Sequence, residues 1–90
     1  ARPMKAGEAT FFEIAGCYKR YHCPLSRTIY LGTPDAAYMK AEAAVLEGLE
    51  NGLAIAKPGA LCGDIATSLK QTLSQNGFDR GGCRCGYPLA

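Results

Sequence analysis

The sequence predicts an α+β fold in which a β-hairpin is followed by two helices. Two β-prone runs flank a short basic segment near the start of the chain, and apolar residues recur at three- and four-residue steps in two later stretches. The first pattern is typical of strands and the second of helices. With 90 residues, the chain suits one small domain or part of a larger one.

The hairpin is predicted over about residues 10–31. Residues 10–15 form a strand-like run that ends at Gly16, and residues 26–31 form a second run that ends at Gly32. The segment between the runs is basic and aromatic and is predicted to form the tip. Two strands alone rarely make a stable sheet, so further strands are expected outside this sequence.

A first helix is predicted over residues 36–56, where apolar residues form one stripe. A long amphipathic helix needs a wider apolar surface than the hairpin offers, so the strands that it packs on are expected outside this sequence. The stripe consists of Met39, Ala43, Leu46, Leu49, Leu53 and Ala56. Gly48 and Gly52 lie to one side of it. Because a glycine costs about 1 kcal/mol relative to alanine inside a helix, this pair either permits close packing against a sheet or weakens the helix.

The second helix is predicted to begin at Gly63 or Asp64 and to end at Asn76. Its buried edge should consist of Ile65, Leu69 and Leu73. Gly77 is expected to take the left-handed conformation that commonly ends a helix, with Phe78 folding back onto the last turn.

Composition excludes several classes of function. The net charge of +2 is too small for a nucleic-acid-binding surface, and the apolar runs are too short to span a membrane. The five cysteines are an odd number, and the first residues contain no signal sequence, so we expect free thiols and a cytoplasmic location. Because the chain lacks an initiator methionine and a closing element, we also expect it to be part of a longer protein.

Several short motifs occur in a characteristic order along nearly the whole chain. They are Ser26-Arg27-Thr28, Leu31-Gly32, Lys57-Pro58-Gly59, Gly63-Asp64-Ile65-Ala66, and Gly77-Phe78 followed by Gly86-Tyr87-Pro88. In this set the chain resembles the pita-bread hydrolases, which include creatinase, prolidase and the methionine and Xaa-Pro aminopeptidases. The resemblance implies that residues 1–90 are the N-terminal portion of one catalytic domain, and that the parent protein is a homodimer acting on a small molecule.

Metal-dependent members of this family carry an aspartate on each hairpin strand and a later histidine ligand. The resemblance places these positions at Glu13, Pro24 and Tyr87. Proline has no side-chain donor and neutral tyrosine is a poor ligand, so the resemblance implies no metal site and no cofactor. It points instead to the metal-free branch that creatinase and ectoine hydrolase represent. Residues 21–28 and 84–88 most resemble ectoine hydrolase, which implies hydrolysis of a C–N bond in a small cyclic amidine or amide such as ectoine.

Glu13 and His22 are the candidate catalytic residues. Alternation along the strand places Glu13 opposite Phe12 and Ile14, so it should be half-buried in the cleft, where it could exchange protons or bind the amidinium group. The alternative is a solvent-facing glutamate. His22 shares a face with Pro24 if the strand is regular, within reach of Glu13. A bulge at the proline would change that face, and a solvated turn histidine is the alternative.

Arg27 and Tyr87 are the candidate substrate-binding residues. Arg27 could bind a ligand carboxylate or form a structural ion pair, and Tyr87 could donate a hydrogen bond in the cleft. The 90 residues alone are expected to be inactive, because the family site also draws acidic residues from later strands.

Three other functions remain open at this point. They are an Xaa-Pro peptidase-like metallohydrolase, a non-catalytic binding module, and a small zinc domain. The zinc domain would use His22 and the cysteines at positions 17, 23, 83 and 85, whose spacings do not match the usual zinc knuckles. Cys62 is predicted to be a small buried apolar residue near a helix start.

Overall fold

The computed structural model describes residues 2–82 and 84–87. Its elements are strand β1 (Ala9–Tyr18), strand β2 (Tyr21–Tyr30), helix α1 (Ala36–Ile55) and helix α2 (Cys62–Gln75). The predicted class and element order are therefore confirmed. The elements form a hairpin unit that extends to Asp35 and a helical unit that begins at Ala36, and each is considered by itself.

The hairpin has a tighter tip than the sequence predicts. Strands β1 and β2 pair in antiparallel register from Ala9 opposite Tyr30 to Tyr18 opposite Tyr21. Only Lys19 and Arg20 remain for the turn, with φ angles of 48° and 71°. Two residues with positive φ are typical of a type I′ turn, whose twist matches that of paired strands. The predicted end of the first strand at Gly16 is wrong, because the strand continues for two more residues to Tyr18.

Pro24 lies inside β2 without disturbing it. Pairing is uninterrupted from residue 9 to residue 30, and Pro24 lies opposite Ala15, so the predicted bulge does not form. The residue pair beside a two-residue turn is hydrogen-bonded, and hydrogen-bonded and non-hydrogen-bonded pairs then alternate. Ala15 and Pro24 are consequently a non-hydrogen-bonded pair. The missing N–H of Pro24 points away from β1, so no hydrogen bond between the strands is lost.

The open end of the hairpin is held by the segment that precedes it. The Gly7 N–H donates to the Leu31 carbonyl at 2.8 Å, and the Tyr30 hydroxyl donates to the Gly7 carbonyl at 2.9 Å. Arg2 forms an ion pair with Glu8, whose hydrogen bond raises the pKa of the Arg2 guanidinium above its ordinary value. These contacts fix where the hairpin begins.

The two helices pack through small residues. The buried positions of α1 are Ala44, Gly48 and Gly52. A Cβ placed on Gly48 would lie 3.4 Å from Leu69 Cγ, and one on Gly52 would lie 3.6 Å from Ile65 Cγ2. Of the two interpretations of the glycine pair, close packing is therefore correct, although the neighbour is a helix and not a sheet.

The apolar stripe of α1 is exposed in the described part of the chain. Its large members Met39, Leu46, Leu49 and Leu53 are exposed by 48–64%. On a helix of 3.6 residues per turn, this stripe lies on nearly the opposite side from the glycines. The glycines rather than the leucines contact α2, because the absent side chains let the backbones approach. The α2 edge was predicted correctly, since Leu73 is buried and Ile65 and Leu69 contact the glycines.

Polar side chains complete the contact between the helices. The Asn51 amide donates to Thr72 Oγ1 at 3.0 Å, and Thr72 Oγ1 donates to the Ser68 carbonyl at 3.0 Å. Nearer the end of α2, the Asn76 amide donates to Glu47 Oε2 at 3.1 Å. Because Thr72 is buried, its hydroxyl needs these partners to offset the loss of water.

The end of α2 follows the prediction. Gly77 has a φ angle of 82°, and the Phe78 N–H donates to the Leu73 carbonyl at 2.9 Å. This is the hydrogen bond of a helix that ends in a left-handed residue. Neither helix of the described residues has the length and apolar character needed to cross a bilayer.

Candidate active site

The strand register divides the hairpin into two faces. The polar face holds Ala9, Phe11, Glu13, Ala15, Cys17, His22, Pro24, Ser26, Thr28 and Tyr30. The apolar face holds Thr10, Phe12, Ile14, Gly16, Tyr18, Tyr21, Cys23, Leu25, Arg27 and Ile29. The polar face contains the acid, the imidazole and a thiol, whereas the apolar face contains most of the large hydrophobic side chains. The candidate chemistry of the hairpin is therefore concentrated on the polar face.

Glu13 lies in the middle of the polar face, opposite Ser26. Phe12 and Ile14 lie on the other face, as alternation predicts. The expectation of a half-buried carboxylate is wrong for this chain, because Glu13 is exposed. Its carboxylate is thus accessible to a cationic ligand or to a water molecule that approaches the polar face.

His22 shares the polar face with Glu13 but does not contact it. The imidazole lies opposite Cys17, and its Nε2 is 3.6 Å from the Cys17 Sγ. Glu13 is four residues further along β1, a separation of roughly 13 Å at the usual rise per residue. The two candidate catalytic residues are therefore not brought together, and His22 is a strand residue rather than a turn residue.

The two candidate substrate-binding residues belong to different units of the chain. Arg27 is on the apolar face, and its Nη1 donates to the Ser26 carbonyl at 2.7 Å. Tyr87 belongs to the helical unit, where its side chain is exposed. Neither position tests a role in substrate binding, so both roles stay predictions.

The cysteines occupy varied environments. Cys62 is the first residue of α2 and is exposed, so the prediction of a buried cysteine is wrong. The Cys85 thiol donates to the Ala66 carbonyl at 3.8 Å. Cys83, which belonged to the zinc alternative, and Pro88, which belonged to a family motif, lie outside the described residues. In the part of the chain that is described, His, Cys, Asp and Glu side chains form no group of three or more placed to hold a metal ion.

Sequence reasoning missed the pairing of Cys17 with His22. The signal was present, because these residues lie at equal distances from the Lys19-Arg20 pair that forms the turn. A two-residue turn brings such positions together on one face. The pairing was overlooked because the tip was expected to be longer.

The register also tests whether the hairpin fits a two-metal site. Glu13 pairs with Ser26 and Pro24 pairs with Ala15, so Glu13 and Pro24 are diagonal neighbours on the polar face. Diagonal neighbours are about 7 Å apart, close enough for two carboxylates to hold neighbouring ions. Pro24 has no side-chain donor, which leaves one carboxylate for the pair of positions. The donors of this hairpin therefore do not fit a dinuclear site.

Comparison with known proteins agrees with the fold and the motif order. The model of metallopeptidase family M24 matches residues 1–90. The chain belongs to metallopeptidase family M24. It is 60% identical to ectoine hydrolase of Halomonas elongata over 87 aligned residues. The aligned region covers 97% of this chain and 22% of that protein.

Relatives with lower sequence identity include proteins named as peptidases. An uncharacterized hydrolase/peptidase of Sinorhizobium fredii is 35% identical over 98% of this chain and 22% of its own length. Methionine aminopeptidase 1A of Arabidopsis thaliana is 28% identical over 99% of this chain and 22% of its own length. The predicted resemblance to pita-bread hydrolases, and to ectoine hydrolase among them, is confirmed. The chain spans about a fifth of the length of these relatives (22%).

Proposed function

We propose that the protein containing this chain hydrolyses a C–N bond of a small cyclic amidine or amide, such as ectoine, without a catalytic metal ion. The observation that carries this proposal is that the diagonal neighbour of Glu13 on the polar face is Pro24, at the position where a second carboxylate is needed to hold a metal. The high identity to ectoine hydrolase supports the substrate class. The small-molecule substrate and the homodimeric parent stay predictions from the resemblance, and the cytoplasmic location stays a prediction from the cysteine count and the first residues.

In this reaction, water adds to the amidine carbon, the bond from that carbon to one ring nitrogen breaks, and the departing nitrogen takes a proton. The oxygen of water remains as the carbonyl of the resulting amide. Glu13 is the proposed partner of the cationic amidine and the acceptor of the proton from water, because its carboxylate is exposed on the polar face.

His22 is the proposed proton donor to the departing nitrogen. It shares the polar face with Glu13, so the proton need not cross the hairpin, and the substrate together with ordered water molecules must span the roughly 13 Å between the two positions. Arg27 and Tyr87 are proposed as contacts to the substrate carboxylate and to a substrate polar atom. Their support is the resemblance alone, because Arg27 lies on the apolar face and Tyr87 in the helical unit.

The metal requirement is tested on the full-length protein. The protein is stripped with a chelator, its metal content is determined by mass spectrometry, and ectoine hydrolysis is followed by NMR. We expect turnover to be unchanged at a metal content far below one ion per chain. Loss of ectoine turnover on stripping, with recovery on addition of Mn²⁺, would contradict the metal-free mechanism. Cleavage of Xaa-Pro dipeptides in place of ectoine would support the peptidase alternative, which the similarity to methionine aminopeptidase favours.

The role of Glu13 is tested by Glu13→Gln in the same protein. We expect turnover to fall by a factor of about 10² to 10⁴, which is the usual contribution of a general acid or base, while ectoine binding is retained. Glu8→Gln is the matched control, since Glu8 is another hairpin-unit glutamate but pairs with Arg2. Equal turnover in both variants would remove Glu13 from the mechanism. A wild-type protein that binds ectoine without any turnover would indicate a binding module.

A further inference from the structure

The tip of the hairpin brings a thiol close to His22, the imidazole that the proposed function uses as a proton donor. Cys17 and His22 lie directly opposite each other, with 3.6 Å between Sγ and Nε2. They form a non-hydrogen-bonded pair, the type in which side chains come closest. Both residues are exposed, so a reagent in solution can reach the sulfur.

Two cationic residues lie next to this pair in the chain. Lys19 and Arg20 form the turn two and three residues after Cys17, and the Lys19 ammonium is 5.5 Å from the centroid of the Tyr18 ring. The nearest acidic residue on the two strands is Glu13, four residues away along β1. Neighbouring cations and an imidazole are the features that make a cysteine a reactive nucleophile.

We propose that Cys17 is a redox-reactive thiol, activated by His22, which forms a mixed disulfide with small disulfides that carry carboxylates. The imidazole tautomer with its proton on Nδ1 accepts the thiol proton at Nε2. The thiolate then attacks one sulfur of the small disulfide, whose S–S bond breaks as the new S–S bond forms. The departing thiolate takes the proton from the imidazolium. Cys17 is oxidised, and half of the small disulfide leaves as a reduced thiol.

The hairpin contains its own control cysteine. Cys23 is also exposed and lies opposite Gly16 on the apolar face, so no imidazole faces it across the strands. Cys62, exposed at the start of α2, is a second reference thiol. Because both cysteines are exposed, a difference in their reactivity reflects the facing imidazole and the face of the hairpin, and not solvent exposure alone.

The expected effect is a faster reaction at Cys17 than at Cys23. His22 can take the thiol proton as the Cys17 sulfur attacks, and no imidazole lies opposite Cys23. Attraction between Lys19 and Arg20 and an anionic disulfide adds to this gain. We therefore expect Cys17 to react at least about three times faster than Cys23 with oxidised glutathione.

The test uses the full-length protein and oxidised glutathione near pH 7.5. After free thiols are blocked, tryptic peptides are quantified by mass spectrometry. Trypsin separates the two cysteines, because residues 6–19 contain Cys17 and residues 21–27 contain Cys23. His22→Gln, which keeps a polar side chain without a base, should bring the rate at Cys17 down to that at Cys23. The rate at Cys62 should not change in this variant.

A second variant tests the charges without weakening the turn. Replacing Lys19-Arg20 by Asn-Gly removes both cations and supplies the residues that a type I′ turn prefers. Cys17 and Cys23 then share the tryptic peptide of residues 6–27, so fragment ions assign the modified cysteine. The rate at Cys17 should fall more with oxidised glutathione than with neutral 2-hydroxyethyl disulfide, because only the anionic reagent is attracted by the cations. Equal rates at Cys17 and Cys23 in the unaltered protein, or an unchanged rate at Cys17 in His22→Gln, would overturn the proposal. The readout is modification and not hydrolysis, so this result is independent of the proposed function.

Discussion

Gly48 offers a direct test of how closely the two helices approach. Alanine is preferred over glycine by about 1 kcal/mol inside a helix, and a buried methyl group adds up to about 0.8 kcal/mol. The new Cβ would lie 3.4 Å from Leu69 Cγ and 3.5 Å from the Leu69 carbonyl oxygen, at the inner limit of ordinary contact. A small adjustment of Leu69 should cost about as much as the burial of the methyl group gains. The helix preference of alanine then remains, so we expect Gly48→Ala to stabilise the helix pair by about 1 kcal/mol.

A larger side chain at position 48 should have the opposite effect. Leucine would extend past the Cβ into the Leu69 carbonyl, which cannot move without displacing α2. The expected destabilisation is about 1–3 kcal/mol. Gly63→Ala is the control, because Gly63 lies in the first turn of α2 with no atom within 4 Å of an added Cβ.

Hydrogen exchange of the α2 amides in the full-length protein measures these effects locally. A stabilisation of about 1 kcal/mol slows amide exchange about fivefold. The α2 amides should therefore exchange more slowly in Gly48→Ala, and faster in Gly48→Leu, than in the unaltered protein. Gly63→Ala should give a smaller change than Gly48→Ala. If alanine accelerated exchange, the helices would be closer than described. If leucine were as protective as alanine, Gly48 would not face α2 in solution.

Two further changes test the polar contact and the turn. Thr72→Val keeps the shape of the side chain but removes the hydroxyl that joins Asn51 to α2, and should destabilise the helix pair by about 1 kcal/mol. A double-mutant cycle with Asn51→Ala, measured by hydrogen exchange of the α2 amides, should show that the two effects are coupled. Strictly additive effects would contradict the hydrogen bond. Replacing Lys19-Arg20 by Asn-Gly should stabilise the hairpin by about 1–2 kcal/mol, because neither original residue favours positive φ. Slower exchange of β1 and β2 amides checks this, and faster exchange would argue against the type I′ turn.

Local sequence signals predicted the elements well. The ends of α1 and α2 agree with the predicted ends within two residues, because Pro34, Pro58 and Gly77 act on the backbone directly. Strand alternation likewise placed Glu13 and Phe12 on opposite faces.

The packing could not be predicted in the same way. Periodicity identifies an apolar stripe but does not say which neighbour covers it, and on α1 the contact with α2 is made by Gly48 and Gly52 instead. The pairing of Cys17 with His22 depended on the length of the turn. Lys19 and Arg20 are poor signals for a two-residue turn, because positive φ angles favour glycine and asparagine.

The proline in β2 also limits how this ribbon can grow into a wider sheet. At position 24 the outer border of the strand offers a carbonyl but no N–H, because the ring nitrogen faces away from β1. A third strand laid beside β2 would therefore lose one ladder bond at mid-length, whereas the outer border of β1 lacks such a gap between residues 9 and 18. Additional strands are therefore expected on the β1 side, so a single residue without an N–H sets the direction in which the sheet extends.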